Sequence, residues 1–384
     1  TSTDVYNVIL DCSVLTSREQ YLEPTIAAMV QCFGVDETEL RAYVSENPKK
    51  RYYKVMEKLP YEEIAQFEDL QNDEKNGKNI KGVWFEKEYI REHPYDTLAS
   101  TLLGFTTSGN VGIGGLEDYY NETLNGVDGK EYGYVNDDSN YEIKVKEAAD
   151  GNTLVSTIDA NLQSITENKI AEFNNAMKDG QNEGAKNIGV VVMKPSTGEI
   201  LAMDGGDRYD LNNPRDLSQV YSQTEIDAMN DEETVEALNG MWSNFCVTDA
   251  YEPGSVVKPI VMAGALEKGR ISVNDTFVCD GGQTFGANGD TYIKCAVWPD
   301  AHGTEALRDV IANSCNDAMM QIAAKMGTEQ FLKAQTLFNF GSRTGIDLPN
   351  EGSGVIHTTE TMGETELACS AFGQGFTCTM IQEI

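Results

Sequence analysis

A multi-domain α+β chain is what three features of the sequence predict. At 384 residues it should hold two or three domains rather than one. Residues 1–150 alternate short helical and strand-like segments and end in an acidic, turn-rich stretch, 128–151. Residues 151–384 instead carry apolar helices around a continuous apolar hairpin at 188–203. The expected domains are therefore 1–150 and 151–384.

In the first domain, 5–10 reads as a strand. A helix over 23–32 places Ile26, Met29, Val30 and Phe33 on one side, and Gly34 ends it. Thr38 can cap a short helix through Val44. Residues 52–56 alternate like a strand, Pro60 opens a helix reaching Leu70, and 82–85 is a further strand. The glycine run 109–115 precedes a helix but lacks both phosphate-binding glycine patterns, so it reads as a turn.

In the second domain, 154–158 reads as a strand, and Asp159 or Ala160 starts a long helix through Met177. The hairpin at 188–203 turns at Lys194-Pro195-Ser196-Thr197-Gly198, and its unbroken apolar strands suit a sheet covered on both faces. Residues 208–236 show no periodicity. After Gly282 the chain reads as loop or hairpin to His302, then as helix over 304–312 and again over 318–326, stopped by Gly327. Thr328 is placed to cap the next helix, and Asn316 or Asp317 the one before it.

Formal net charge is −33, from 29 basic and 62 acidic side chains. Phosphate binding needs a basic face, so nucleic acid and anionic lipid are excluded as partners. No run is long enough to span a bilayer and no signal sequence opens the chain. Thr1 and Ile384 look like cut ends, which leaves room for an anchor outside the chain.

Eight cysteines are scattered without a C-x-x-C pair, so zinc-finger and thioredoxin readings fail. Cys279 and Cys295 bracket a glycine-rich segment. A disulfide across it, a zinc site with Asp280 or His302, and a pair of small buried hydrophobes all remain open. No metal ligand is assigned.

The chemistry centres on Tyr251-Glu252-Pro253-Gly254-Ser255-Val256-Val257-Lys258-Pro259. The residues after it, 260–266, are apolar on every side and read as a buried helix. Pro259 fits in its first turn and Gly269 beyond its end. Ser255 then sits at the helix tip, with Lys258 one turn on along the same face. A serine hydroxyl is a weak nucleophile until a base takes its proton, and an amine serves once burial and the positive helix end lower its pKa. A serine at a helix start is also an ordinary cap, and Ser-x-x-Lys is short. It occurs only here in the chain.

A second constellation is Ser314-Cys315-Asn316, in a tight link between two apolar helices. Ser-x-Asn also occurs at Ser45, Ser108 and Ser272, but without that setting. From a rigid link a hydroxyl can relay a proton and an amide can hold a peptide backbone.

Taken in order, Tyr-Glu-Pro-Gly-Ser-x-x-Lys-Pro at 251–259, His-Gly-Thr-Glu-x-Leu-Arg at 302–308 and Ala-Asn-Ser-Cys-Asn at 312–316 resemble class B penicillin-binding proteins. These are the serine transpeptidases of bacterial cell-wall synthesis. The stretches 98–105, 115–117, 193–203, 344–349 and 372–375 follow the family in the same order, so the resemblance spans nearly the whole chain. It implies a β-lactamase-like transpeptidase fold, helices around a central antiparallel sheet, behind a mixed α+β pedestal. It implies Ser255 as the acylated nucleophile, with its backbone N–H as half of an oxyanion hole, Lys258 as the base, and Ser314 and Asn316 as the second motif. The implied reaction is acylation by D-Ala-D-Ala stem peptides and transfer to an amine, with β-lactams trapped as acyl-enzymes and no cofactor. Implied partners are peptidoglycan stem peptides, β-lactams, and membrane glycosyltransferase, divisome or elongasome proteins. The implied location is the outer face of the cell membrane, through an N-terminal helix absent from the chain. A carboxypeptidase or β-lactamase, or a non-catalytic β-lactam sensor, are the competing readings.

One departure matters. The family's third motif, Lys-[Ser/Thr]-Gly, occurs nowhere in the sequence. The chain is expected to be a fragment that lacks it and, alone, to transfer acyl groups poorly.

Overall fold

The computed structural model describes residues 1–75, 77–107, 109–135, 141–178, 184–286 and 289–384; Ser108 of the Ser-x-Asn copy and 136–140 of the acidic stretch lie outside them. The described chain forms two compact units, Thr1–Pro94 and Tyr95–Ile384.

The first unit is a three-stranded antiparallel sheet with helices packed against it. Strand β1 (Ser2–Leu10) is central, flanked by β2 (Tyr53–Leu59) and β3 (Val83–Arg91). Its Ile9 and Leu10 are fully buried, as are Ile26 and Met29 of helix Glu19–Phe33 and Phe67 of helix Tyr61–Asn72. Each such side chain contributes about 1.5–3 kcal/mol over its exposed state. Gly34 ends the first helix in the left-handed conformation, and Pro60 stands at the N-cap of the second, as their positions predict. The cap of helix Glu37–Glu46 is not Thr38. Asp36 takes that place, its carboxylate accepting from Glu39 N at 2.9 Å, because a carboxylate one residue outside the helix meets the free amides directly.

After a short helix, Ser100–Leu103, the second unit carries two hairpins, β4 (Phe105–Thr107) with β5 (Val111–Ile113) and β6 (Lys130–Val135) with β7 (Tyr141–Lys146). The glycine run is thus the turn and second strand of the β4–β5 hairpin, leading into helix Gly115–Tyr119. Residues 154–158 are not a strand. They run beside a later strand through Thr157 Oγ1 to Ile200 O and Asp159 N to Leu201 O, contacts too sparse for a ladder. Helix Ala160–Met177 begins where Asp159 caps it. Strands β8 (Val190–Lys194) and β9 (Glu199–Asp204) form the expected hairpin, but β8 is half-buried rather than covered on both faces.

The stretch without periodicity contains helices Gln223–Ala228 and Asp231–Trp242. Both start with a capping box, Ser222 with Glu225 and Asn230 with Glu233, a pattern legible in the sequence. Strand β10 (Thr276–Cys279) pairs with β13 (Gly303–Ala306), and β11 (Gly282–Phe285) with β12 (Thr291–Lys294). Residues 304–306 are therefore strand, and the expected helix starts only at Leu307. The β10 partner captures a segment whose own propensity is weak.

The core beside the site is built by helices Lys258–Glu267, Asn316–Met326 and Thr328–Leu337. Gly264 lets the first and third approach closely: a Cβ there would stand 2.8 Å from the Ala334 methyl. Helix Lys258–Glu267 is not buried all round, since Val256, Pro259 and Ala263 form an exposed stripe. Among the described residues no helix is long and apolar enough to cross a membrane.

Candidate active site

Ser255 lies in a 3-10 turn, Gly254–Val257, that runs into helix Lys258–Glu267. Pro259 occupies the first helical turn and Gly269, at φ 61°, follows its end, as the sequence predicts. Val257 is buried and anchors the turn, while Ser255 is exposed. Lys258 is only 2% exposed.

The second motif reaches the same place. Helix Leu307–Ala312 ends, the chain turns through Ser314 at φ 50°, and helix Asn316–Met326 begins. Lys258 Nζ donates to Ser314 O at 2.7 Å, Ser314 Oγ at 2.9 Å and Asn316 Oδ1 at 2.6 Å. Ser314 Oγ donates to Ser255 Oγ at 3.0 Å. All four residues expected from the sequence thus meet in one hydrogen-bonded chain, Ser255–Ser314–Lys258–Asn316. Burial pushes the Lys258 amine below its ordinary value of 10.5, toward the uncharged form that can accept a proton.

Neither Asn316 nor Asp317 is the N-cap of its helix. Cys315 is, its sulfur accepting from Ala318 N at 3.4 Å. Asn316 is thereby freed to face Lys258. Asp317, fully buried, instead accepts from Asp280 N at 3.0 Å and from Gln283 and Gln321 Nε2 at 2.6 and 2.8 Å. It ties the β11–β12 hairpin to the start of the helix, a role that an acidic residue in a first turn does not reveal in sequence.

A third element supports the nucleophile turn. Gly254 N donates to Gly373 O at 2.9 Å, and Gly375 N to Glu252 Oε1 at 2.7 Å. Gly373 has φ 86°, and a Cβ there would lie 2.0 Å from Gly254 O, so only glycine fits. Sequence reasoning noted Gly373 and Gly375 without giving them a local role. The signal available was the Gly-x-Gly spacing, which needs its partner turn in space to be interpreted.

Cys279 and Cys295 are free and buried, not joined in a disulfide. With His302 and Cys315 they form the one group among the described residues whose donor atoms converge closely enough for a metal ion, all within 4.8 Å.

Comparison with known proteins agrees with this geometry. The model of the penicillin binding protein transpeptidase domain matches residues 188–384, just over half the chain, and that of the penicillin-binding protein dimerisation domain matches 1–156. Stage V sporulation protein D of Bacillus subtilis is 31% identical over 359 residues, covering 90% of this chain and 50% of that protein. Peptidoglycan D,D-transpeptidase FtsI of Buchnera aphidicola (subsp. Schizaphis graminum) is 28% identical over 311 residues, 79% of this chain and 48% of that protein. The chain thus spans about half the length of the curated relatives it matches. Penicillin-binding protein 2X of Streptococcus thermophilus shares the fold with a TM-score of 0.75 at 22% identity, over 99% of this chain and 55% of that one. Penicillin-binding protein 2 of Helicobacter pylori, in its complex with MreC, does so at 0.71 and 21%, over 100% and 71%. With the Ser-x-x-Lys and Ser-x-Asn motifs joined in space and a dimerisation domain ahead of them, the chain belongs to the penicillin-binding protein transpeptidase family, in its class B arrangement.

Proposed function

We propose that the protein containing this chain is a D,D-transpeptidase that cross-links peptidoglycan stem peptides. The carrying observation is the buried Lys258 amine, joined to the exposed Ser255 hydroxyl through Ser314 Oγ. With the amine uncharged, the same contacts carry a proton the other way, from Ser255 through Ser314 to Lys258. Ser255 Oγ attacks the D-Ala-D-Ala carbonyl, the C–N bond breaks, and D-Ala leaves as an amine that takes up the proton. An acceptor amine of a second stem peptide then attacks the ester, restoring Ser255 and forming the cross-link. Asn316, half-buried beside Lys258, is assigned the donor peptide's backbone. β-Lactams would enter the same path and stop at the acyl-enzyme. The names of the FtsI relatives support this reading.

The functional boundary near residue 150 is part of the proposal. Its support is the pair of family-model spans, 1–156 and 188–384, although residues 95–150 pack within the second compact unit. We also assign the protein to the outer face of the cell membrane, where its substrate lies. Partners of the cell-elongation or division machinery are inferred from the Helicobacter complex with MreC.

The test is labelling of the full-length protein with fluorescent penicillin and mapping of the adduct by mass spectrometry. The expected adduct is on Ser255, lost in Ser255→Ala. An adduct elsewhere, or rapid turnover without accumulation, defeats the reading.

A further inference from the structure

Asp317 stands one residue past Asn316, and the acyl-transfer scheme gives it no task. It is fully buried. Its Oδ1 accepts from Gln283 Nε2 at 2.6 Å and Gln321 Nε2 at 2.8 Å, and its Oδ2 from Asp280 N at 3.0 Å. All three donors are neutral amides. Gln321 Nε2 also donates to Val278 O at 2.7 Å. The carboxylate therefore gathers the end of β10, the root of the β11–β12 hairpin and the first turns of helix Asn316–Met326.

An acidic residue in a first turn is ordinarily explained by the free amides of its own helix. None of the three donors to Asp317 is such an amide, and Ala318 N goes to the sulfur of Cys315 instead. Burying a carboxylate among neutral groups costs stability unless donors satisfy it, and apolar packing of the same volume would avoid that cost. What the arrangement secures is direction. Successive helical residues stand about 100° apart around the axis, so a side chain locked at 317 fixes the direction in which Asn316 leaves the helix.

An independent contact leads from the same hairpin to the nucleophile. Phe285 of β11 and Ile293 of β12 pack against Met320, Ala368 and Phe372. Phe372 precedes Gly373, whose carbonyl accepts from Gly254 N beside Ser255. The hairpin that Asp317 ties down thus lies between the support of Asn316 and the support of Ser255.

We propose that Asp317 is a positioning residue for the second motif: by clamping the hairpin to the helix start it holds Asn316 where its amide meets the backbone of the donor peptide. The proposal rests on the acyl-transfer reading above. Asp317 touches no reacting atom and acts through Asn316. It governs how strongly the site prefers acyl donors that carry a peptide-like amide over donors that lack one.

The test compares two β-lactams on the full-length protein. Benzylpenicillin carries an acylamino side chain that resembles a peptide, and aminopenicillanic acid has a free amine in its place. The ratio of their acylation rates is independent of how much of a variant is folded. Asn316→Ala should lower that ratio by on the order of 10-fold. Asp317→Asn, which puts an N–H among three donors, should lower it by about 10- to 100-fold, the scale of a 1 Å misplacement. The double variant should fall no further than the larger single loss. Gln283→Ala removes one donor from a half-buried hairpin position and should lower the ratio by about threefold or more. A carboxylate that only stabilises the fold would lower Tm and leave the ratio alone. An unchanged ratio in Gln283→Ala and in folded Asp317→Asn therefore overturns the proposal. So does an unchanged ratio in Asn316→Ala, or a double variant whose loss is the product of the single losses. Should Asp317→Asn fail to fold, the Gln283→Ala ratio decides alone. Failure of the acyl-transfer reading would show separately, as a penicillin adduct missing from Ser255.

Discussion

The tripeptide Ser314-Cys315-Asn316 faces two environments of opposite kind. Ser314 and Asn316 are half-buried and turn toward Lys258 and the exposed Ser255. Cys315, between them, is fully buried against Cys295 and caps the helix with its sulfur. One side is polar and leads to the exposed Ser255 hydroxyl. The other is closed and lined by sulfur. The left-handed Ser314 permits this, because a tight link lets neighbouring side chains diverge while a helix would carry them round one surface. The difference teaches that the reactive side needs access and so cannot supply its own rigidity. The closed side supplies it.

Substitutions can break the comparison on either side. On the open side Ser255→Ala should abolish penicillin acylation of the full-length protein, a loss on the order of 10⁴-fold or more, read by single-turnover labelling. Lys258→Ala should cost about 10²–10⁴-fold, the usual worth of a general base. A residual rate within tenfold of wild type would remove Lys258 from that role. Ser314→Ala should cost on the order of 10²-fold while leaving Lys258 bound to Asn316. Its effect should be in the acylation rate and its pH profile rather than in Tm.

Smaller effects are expected from the supports. Gly373→Ala forces a Cβ onto Gly254 O and strains a residue at φ 86°. It should lower stability by about 1–3 kcal/mol in denaturant unfolding and slow acylation with it. Cys315→Ala leaves both motif residues but removes the cap, worth about 1 kcal/mol. Its acylation loss should be smaller than that of Ser314→Ala; an equal loss would mean that the two sides are not separable.

The pH dependence sharpens the same contrast. In the proposed mechanism acylation needs the free Lys258 amine, whose pKa burial holds below 10.5. The acylation rate should therefore rise with pH and level off before 10.5, and a rising limb at or above that value would contradict the burial argument. The sign for stability is the same. The folded protein holds this proton less tightly than the unfolded chain, so the buried charge costs stability below the lowered pKa. That cost shrinks as pH climbs toward 10.5.

Much of the site was legible in residues alone. Ser255, Lys258, Ser314 and Asn316 were found from two short motifs and their helical settings, because a helix start is announced by Pro, Gly and an apolar run within a few residues. Helices starting at Ala160 and ending at Gly34 were legible for the same reason. The strand errors fell where partners lie far along the chain, and the cap errors were local. Residues 304–306 became a strand because β10 pairs with them, and 154–158 failed to become one for want of a ladder. Asp36 and Cys315 displaced the expected caps by a residue or two. The capping boxes at Ser222 and Asn230 were readable and overlooked.

By itself, then, the sequence determined which groups make up the candidate site and that they stand at or beside helix starts, since both follow from contacts within about one helical turn. Only the tertiary structure decided that Gly373 must be glycine, that Asp317 ties a hairpin to a helix, and that three scattered cysteines and a histidine converge behind the second motif. Those are contacts between segments tens of residues apart. Their spacing in the chain carries no trace of the distance that folding gives them.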